Sequence, residues 1–97
     1  MTEVIEARLH AMVEGRVQGV GFRYFVLDNA VSRGIAGWVR NRYDQSVEVL
    51  AEGSRDDLDK LVSALWKGPR SAFVTRVKTD WEDPTGEFTG FSVKATV

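Results

Sequence analysis

The sequence predicts an α+β sandwich, with two helices on one face of a mainly antiparallel sheet. Three observations point to it. Residues 4–14 alternate apolar and polar with period two, residues 22–32 and 55–66 carry apolar positions at helical spacing, and alternating stretches follow each helix. The elements therefore run β-α-β-β-α-β with a short strand after, the order of a ferredoxin-like split βαβ sandwich. At 97 residues the chain reads as one domain over 1–97. That length buries roughly 60–65% of the unfolded surface, enough to fold without disulfides or metal.

In the first strand, Ile5, Ala7, Leu9, Ala11 and Val13 share one face, and Glu6, Arg8, His10, Met12 and Glu14 the other. His10 reads as an exposed mid-strand residue. After a glycine-rich loop, Phe22, Phe25, Val26 and Ala30 recur at helical spacing through about Ser32, and Gly34 supplies a left-handed stop. Residues 35–42 and 47–51 form the next two strands, joined at Tyr43-Asp44-Gln45-Ser46 by a hairpin turn. Ser54 is the N-cap of the second helix, and Asp56 and Asp57 complement its dipole better than they would hold a metal. Leu58, Leu61, Val62, Leu65 and Trp66 make its apolar stripe, and Gly68-Pro69 ends it. In the strand at 73–81, Phe73, Val77 and Trp81 face one side, and Arg76, Lys78 and Asp80 the other. Asp83-Pro84-Thr85-Gly86 turns the chain, and Phe91, Val93, Ala95 and Val97 alternate as a last strand to the C-terminus. Trp38, Trp66 and Trp81 read as packing residues, with Trp38 placed by parity on the open face of the sheet.

Composition narrows the chemistry. There is no cysteine, which excludes disulfides and thiolate catalysis, and the single histidine leaves no cluster for zinc or a histidine-based triad. Tyr24 and Ser32 have no partner that would make them nucleophiles. No cofactor and no metal are expected. No leader-like segment or membrane-spanning apolar run is present, so a cytoplasmic protein without membrane contact is expected. The net charge of −1 is unevenly spread. Residues 15–43 hold Arg16, Arg23, Arg33, Arg40 and Arg42 against Asp28 alone, +4 for that stretch and −5 for the remainder. A small anion is drawn to such a region, with Arg16, Arg40 and Arg42 as candidates for steering it.

The loop Gly15-Arg16-Val17-Gln18-Gly19-Val20-Gly21-Phe22-Arg23 joins the first strand to the first helix. Its glycines open backbone conformations closed to other residues, and N–H groups leading into a helix terminus form a nest for phosphate. Arg23 adds a two-pronged donor. The dinucleotide and Walker patterns both fail, because Tyr24 stands where a third glycine would be and no Gly-Lys-Ser/Thr follows. On spacing alone, an anion nest and a plain tight connection both remain open. The topology adds a partner: the first two strands run parallel with the third between them, so Asn41 reaches the same sheet edge as the loop. Asn41 shares the parity of Val39 and points to the helix-covered face.

The loop motif, followed by Gly37-Trp38-Val39-Arg40-Asn41, resembles the two signature motifs of the acylphosphatase family. The likeness continues through Ser46-Val47-Glu48-Val49 and Pro84-Thr85-Gly86-Glu87-Phe88 and spans nearly the whole chain. It implies hydrolysis of the carboxyl–phosphate bond of small acyl phosphates without metal or cofactor, with inorganic phosphate as product and inhibitor. It also implies that Arg23 binds phosphate, that main-chain N–H groups of Val17, Gln18, Gly19, Val20, Gly21 and Phe22 cradle it, and that Asn41 orients the attacking water. One departure stands out: the family commonly has an Asp-Gly turn after the asparagine, whereas this chain has Asp44-Gln45, and glutamine takes positive φ only at a cost. A monomer with no nucleic-acid partner is expected. The alternatives are a non-catalytic module for phosphorylated ligands and an RNA-binding module of the same architecture. The second is disfavoured because Val20-Gly21-Phe22 opens a helix instead of lying on a central strand.

Overall fold

The computed structural model describes residues 4–97, ordered as β1 (Glu6–Arg16), α1 (Phe22–Ser32), β2 (Ala36–Asn41), β3 (Val47–Ser54), α2 (Arg55–Lys67), β4 (Phe73–Glu82) and β5 (Phe91–Val93). Alternation in β1 becomes burial: Leu9, Ala11 and Val13 are fully enclosed while the intervening residues are only partly covered. Ile5 lies before the strand and is 69% exposed, so the inward face begins later than the pattern suggests. The sheet order is β4-β1-β3-β2-β5. Because β3 is antiparallel to both β1 and β2, those two strands run parallel and finish at one edge.

Both helices lie on the face that carries Leu9, Ala11, Val13, Val39, Val47, Val49 and Ala51. Phe22, Val26 and Ala30 of α1 and Leu58, Leu61 and Leu65 of α2 close the core against them. Each fully buried leucine or phenylalanine contributes about 1.5–3 kcal/mol, so these six positions anchor the helices. The ends follow their sequence signals. Ser54 Oγ accepts from the Asp57 N–H at 3.1 Å, and Gly34 and Gly68 adopt φ of 66° and 65° after α1 and α2.

Three side chains depart from the alternation. Phe73 was expected inward but is 69% exposed, because the β1–β4 register slips: Glu14 pairs with Arg76 and Gly15 with Val74. The unpaired Thr75 is a bulge that inverts the parity and sends Val74 to the core instead. Gly15 belongs to this bulge. With φ of 127°, a Cβ there would lie 2.2 Å from the Phe73 carbonyl oxygen, so strand pairing itself demands this glycine. Trp66, assigned to the apolar stripe of α2, is 50% exposed, since Leu58, Leu61 and Leu65 already fill the contact.

The last strand is shorter than its alternation implied. β5 ends at Val93, parallel to β2. The tail nevertheless stays against β2 through Lys94 N–H to Val39 O at 2.9 Å and Val97 N–H to Asn41 O at 3.3 Å. Trp38 does lie on the open face, where the Arg40 guanidinium stacks 4.4 Å from its ring centre and Lys94 Nζ 5.6 Å. No helix among the described residues is long and apolar enough to cross a membrane.

Candidate active site

The loop between β1 and α1 is pinned by Val17, which is almost wholly buried, and by Val20, which packs against the core. Between and after them, Gly19 and Gly21 take φ of 72° and 77° with no atom within 4 Å of a would-be Cβ. The left-handed backbone, not crowding, is what requires glycine there. Gly21 is also the N-cap of α1 and supplies no side-chain acceptor. The N–H groups of residues 18–22 have no backbone acceptor among the described residues. They lead into the positive end of the α1 dipole, a position that favours an anion.

A cleft of about 190 Å³ opens at this point, lined by Val17, Gly19, Gly21, Phe22, Arg23, Tyr24 and Asn41. It is smaller than the roughly 300–1,000 Å³ of pockets for drug-sized ligands and suits a small anion. Arg23 comes from the first turn of α1 and Asn41 from the end of β2, so the parallel placement of β1 and β2 brings them together. Asn41 Oδ1 is buried and has no hydrogen-bond partner among the described residues. An enclosed acceptor without a donor costs about 1–3 kcal/mol.

Not every loop residue turns to the cleft. The Gln18 side chain turns away, its Nε2 donating to Arg42 O at 2.7 Å and Ser46 O at 2.9 Å. Neither Gln18 nor Val20 is among the residues that line the cleft. Tyr24, 63% exposed at the cleft's rim, joins the site although nucleophile logic had assigned it nothing.

The hairpin that follows Asn41 departs from the usual turn chemistry. Gln45 N–H donates to Arg42 O at 3.1 Å and Arg42 N–H to Ser46 O at 2.9 Å, with Gln45 itself at φ of 78°. Glutamine thus occupies the left-handed position that glycine fills at least cost, and the turn keeps its shape. Asp44 Oδ1 accepts from the Ser46 N–H at 3.0 Å, and bonds from the Ser46 hydroxyl and N–H hold the Asp44 carboxyl below its ordinary range.

The electrostatics of the opposite face correct two expectations. His10 is half-buried, and its Nε2 donates to Glu48 Oε2 at 2.6 Å. Arg40 Nε and Arg42 Nη1 donate to Glu48 Oε1 at 2.7 and 3.1 Å, so neither arginine is free to steer an anion. Arg16 remains exposed. Burial pushes the Glu48 carboxyl up, but the bonds from His10, Arg40 and Arg42 outweigh it and hold its pKa at about 2. Glu52, also buried, is lowered in the same way: burial raises it, and donors from Thr85 N, Gly86 N and Thr85 Oγ1 with the nearby Arg8 charge more than compensate. Sequence reasoning missed both acids. The available signal was acidic residues in a central strand otherwise continuously apolar, since β3 is buried from Val47 to Glu52. Among the described residues no group of three or more His, Cys, Asp or Glu side chains is placed to hold a metal.

The acylphosphatase family profile matches residues 9–93. The chain belongs to the acylphosphatase family. An acylphosphatase of Pelotomaculum thermopropionicum is 48% identical over 87 residues, covering 90% of this chain and 95% of that protein. Among solved structures, the acylphosphatase of Bacillus subtilis superposes with a TM-score of 0.88 at 41% identity, covering 91% of this chain and 98% of the other. An acylphosphatase of Coxiella burnetii gives a TM-score of 0.84 at 37% identity over 97% of this chain and all of the other. The acylphosphatase fold therefore covers both the loop and the asparagine-bearing strand end.

Proposed function

We propose that this protein hydrolyses the carboxyl–phosphate bond of small acyl phosphates to a carboxylate and inorganic phosphate, with Arg23 and Asn41 as its catalytic residues. The observation that carries this reading is the buried, unpartnered Asn41 Oδ1 in one cleft with Arg23 and the acceptorless loop amides. Family membership supports the same reaction class.

The N–H groups of Val17 to Phe22 and the Arg23 guanidinium hold the phosphoryl oxygens, and Asn41 Oδ1 accepts a hydrogen bond from water placed in line with the scissile bond. The water oxygen bonds to phosphorus as the bridging P–O bond breaks, and its electron pair leaves on the carboxylate. Carboxylate is a good leaving group that needs no proton, and the water proton passes to a phosphoryl oxygen of the substrate. Phosphoryl transfer through a loose transition state needs positioning and charge stabilisation more than acid–base catalysis. The site's neutral asparagine and single arginine fit that demand.

Against a nucleic-acid role stand the ion pairs of the open face, where Arg8 pairs with Glu52 and Arg40 and Arg42 both pair with Glu48. Phosphate release from acetyl phosphate, with a chelator present and p-nitrophenyl phosphate as comparison, tests the proposal. Release from acetyl phosphate alone is expected. No release from it would leave a phosphate-binding module.

A further inference from the structure

The cleft is made of two pieces that are separate in sequence. In the hydrolytic reading the N–H groups of residues 17–22 and Arg23 bind the anion and Asn41 meets the water, so the chemistry depends on the distance between a loop and a strand end. The Gln18 side chain spans that gap. One carboxamide donates both of its hydrogens, to Arg42 O at 2.7 Å and to Ser46 O at 2.9 Å. These carbonyls belong to the two sides of the hairpin base, which Arg42 N–H to Ser46 O closes at 2.9 Å. Arg42 follows Asn41 directly, and Gly19 follows Gln18. The tie therefore starts within the loop and ends on the residue next to Asn41.

The loop's remaining anchors are of another kind. Val17 and Val20 are held by apolar packing, which resists extraction but does not fix direction. Gln18 provides the side-chain hydrogen bonds between loop and hairpin among the described residues. On the opposite face, Arg42 Nη1 donates to Glu48 Oε1 at 3.1 Å, so the residue that receives the Gln18 bond is itself held to β3.

We propose that Gln18 is a positioning residue, whose side chain sets the separation between the anion held by the loop and the water held by Asn41. This rests on the hydrolytic reading above. Gln18 does not touch the reacting atoms with its side chain, and it acts through Arg42 and Ser46. Without the two bonds, the loop still presents its amides and Asn41 still presents Oδ1, but their relative placement loosens. A displacement of about 1 Å is enough to cost on the order of 100-fold in rate. Phosphate affinity, which the loop N–H groups and Arg23 supply without these two bonds, changes far less than kcat.

Two variants test this. Gln18→Met keeps length and removes both donors. Its kcat on acetyl phosphate is expected to fall by about 10- to 100-fold while inhibition by inorganic phosphate changes by less than about threefold. Gln18→Glu places a carboxylate against two carbonyl oxygens at neutral pH. Below the carboxyl's titration range its O–H donates one of the lost bonds, so its kcat relative to the native protein is expected to recover as pH falls.

A merely structural glutamine would lower the melting temperature of both variants, leave kcat within about twofold in the folded fraction, and give Gln18→Glu a pH profile parallel to the native one. Either result overturns the proposal, as does an equal loss of kcat and phosphate affinity. NMR separates this from the hydrolytic reading. Inorganic phosphate at saturation is expected to shift the Asn41 side-chain amide resonance by different amounts in the native protein and in Gln18→Met. Equal shifts in both would overturn the coupling even if the native protein released no phosphate from acetyl phosphate, a result that would itself overturn hydrolysis.

Discussion

Replacing Glu48 by glutamine removes the charge at the centre of the open-face network, and the cost follows from the geometry. Glu48 is 7% exposed and accepts hydrogen bonds from His10, Arg40 and Arg42. Its pKa is held at about 2 against an ordinary 4.5. Because the folded value is the lower one, the stabilisation is complete above pH 4.5 and is lost as pH falls toward 2. Taken in full the difference is worth about 3 kcal/mol, and screening on a solvent-facing surface reduces this to about 1–2 kcal/mol. Urea unfolding of the native protein and Glu48→Gln at pH 7, 5 and 3 measures it. The variant is expected to be less stable by about 1–2 kcal/mol at pH 7, with more than half of that gap gone by pH 3. Asp44 and Glu52 also sit below their ordinary ranges, but both proteins carry them, so their contribution cancels in the difference. A gap that stays constant from pH 7 to pH 3 would refute the reasoning.

Four further substitutions have defined outcomes. Arg23→Ala is expected to weaken inorganic phosphate binding by roughly 10- to 100-fold, read by inhibition or calorimetry, since it removes charge-assisted bonds. Asn41→Ala is expected to lower kcat by roughly 100-fold with phosphate affinity retained, and an unchanged kcat would remove its role in orienting water. Gln45→Gly relieves a left-handed glutamine and is expected to raise stability by about 0.5–1 kcal/mol, seen as a higher melting temperature. Gly37→Ala would place a Cβ 1.9 Å from the Leu50 carbonyl oxygen at φ of 141°, and is expected to cost more than about 3 kcal/mol or to abolish soluble expression.

What could be read in advance was what depends on neighbours in sequence. The inward faces of β1 and α1, the Ser54 cap and the glycine stops are local patterns, and the structure shows each of them. The meeting of Asn41 with the loop needed one further step, the split βαβ topology, and parity then placed it in the cleft. Features set by pairing between distant residues were not readable. The slip between Glu14 and Gly15 reversed Phe73 and Val74, and no property of 73–81 announces it. Glu48 meets His10 across 38 residues, so neither the half-burial of the histidine nor the engagement of Arg40 and Arg42 could be seen from either segment alone. Gln18 looked like one more loop residue because its role depends on two carbonyls, and backbone acceptors leave no mark in a sequence.

The place of β3 has a consequence for how the molecule breathes. Val49 pairs with Ala11 on one side and Val39 on the other, in the interior of the sheet, so the amides around it exchange with solvent only when the sheet opens. The N–H groups of residues 18–22, in the loop that borders the cleft, have no backbone acceptor among the described residues to shield them. Hydrogen exchange would thus find slow amides in the central strand and fast ones in the loop. An anion bound at the loop would slow the fast amides and leave those of the central strand unchanged.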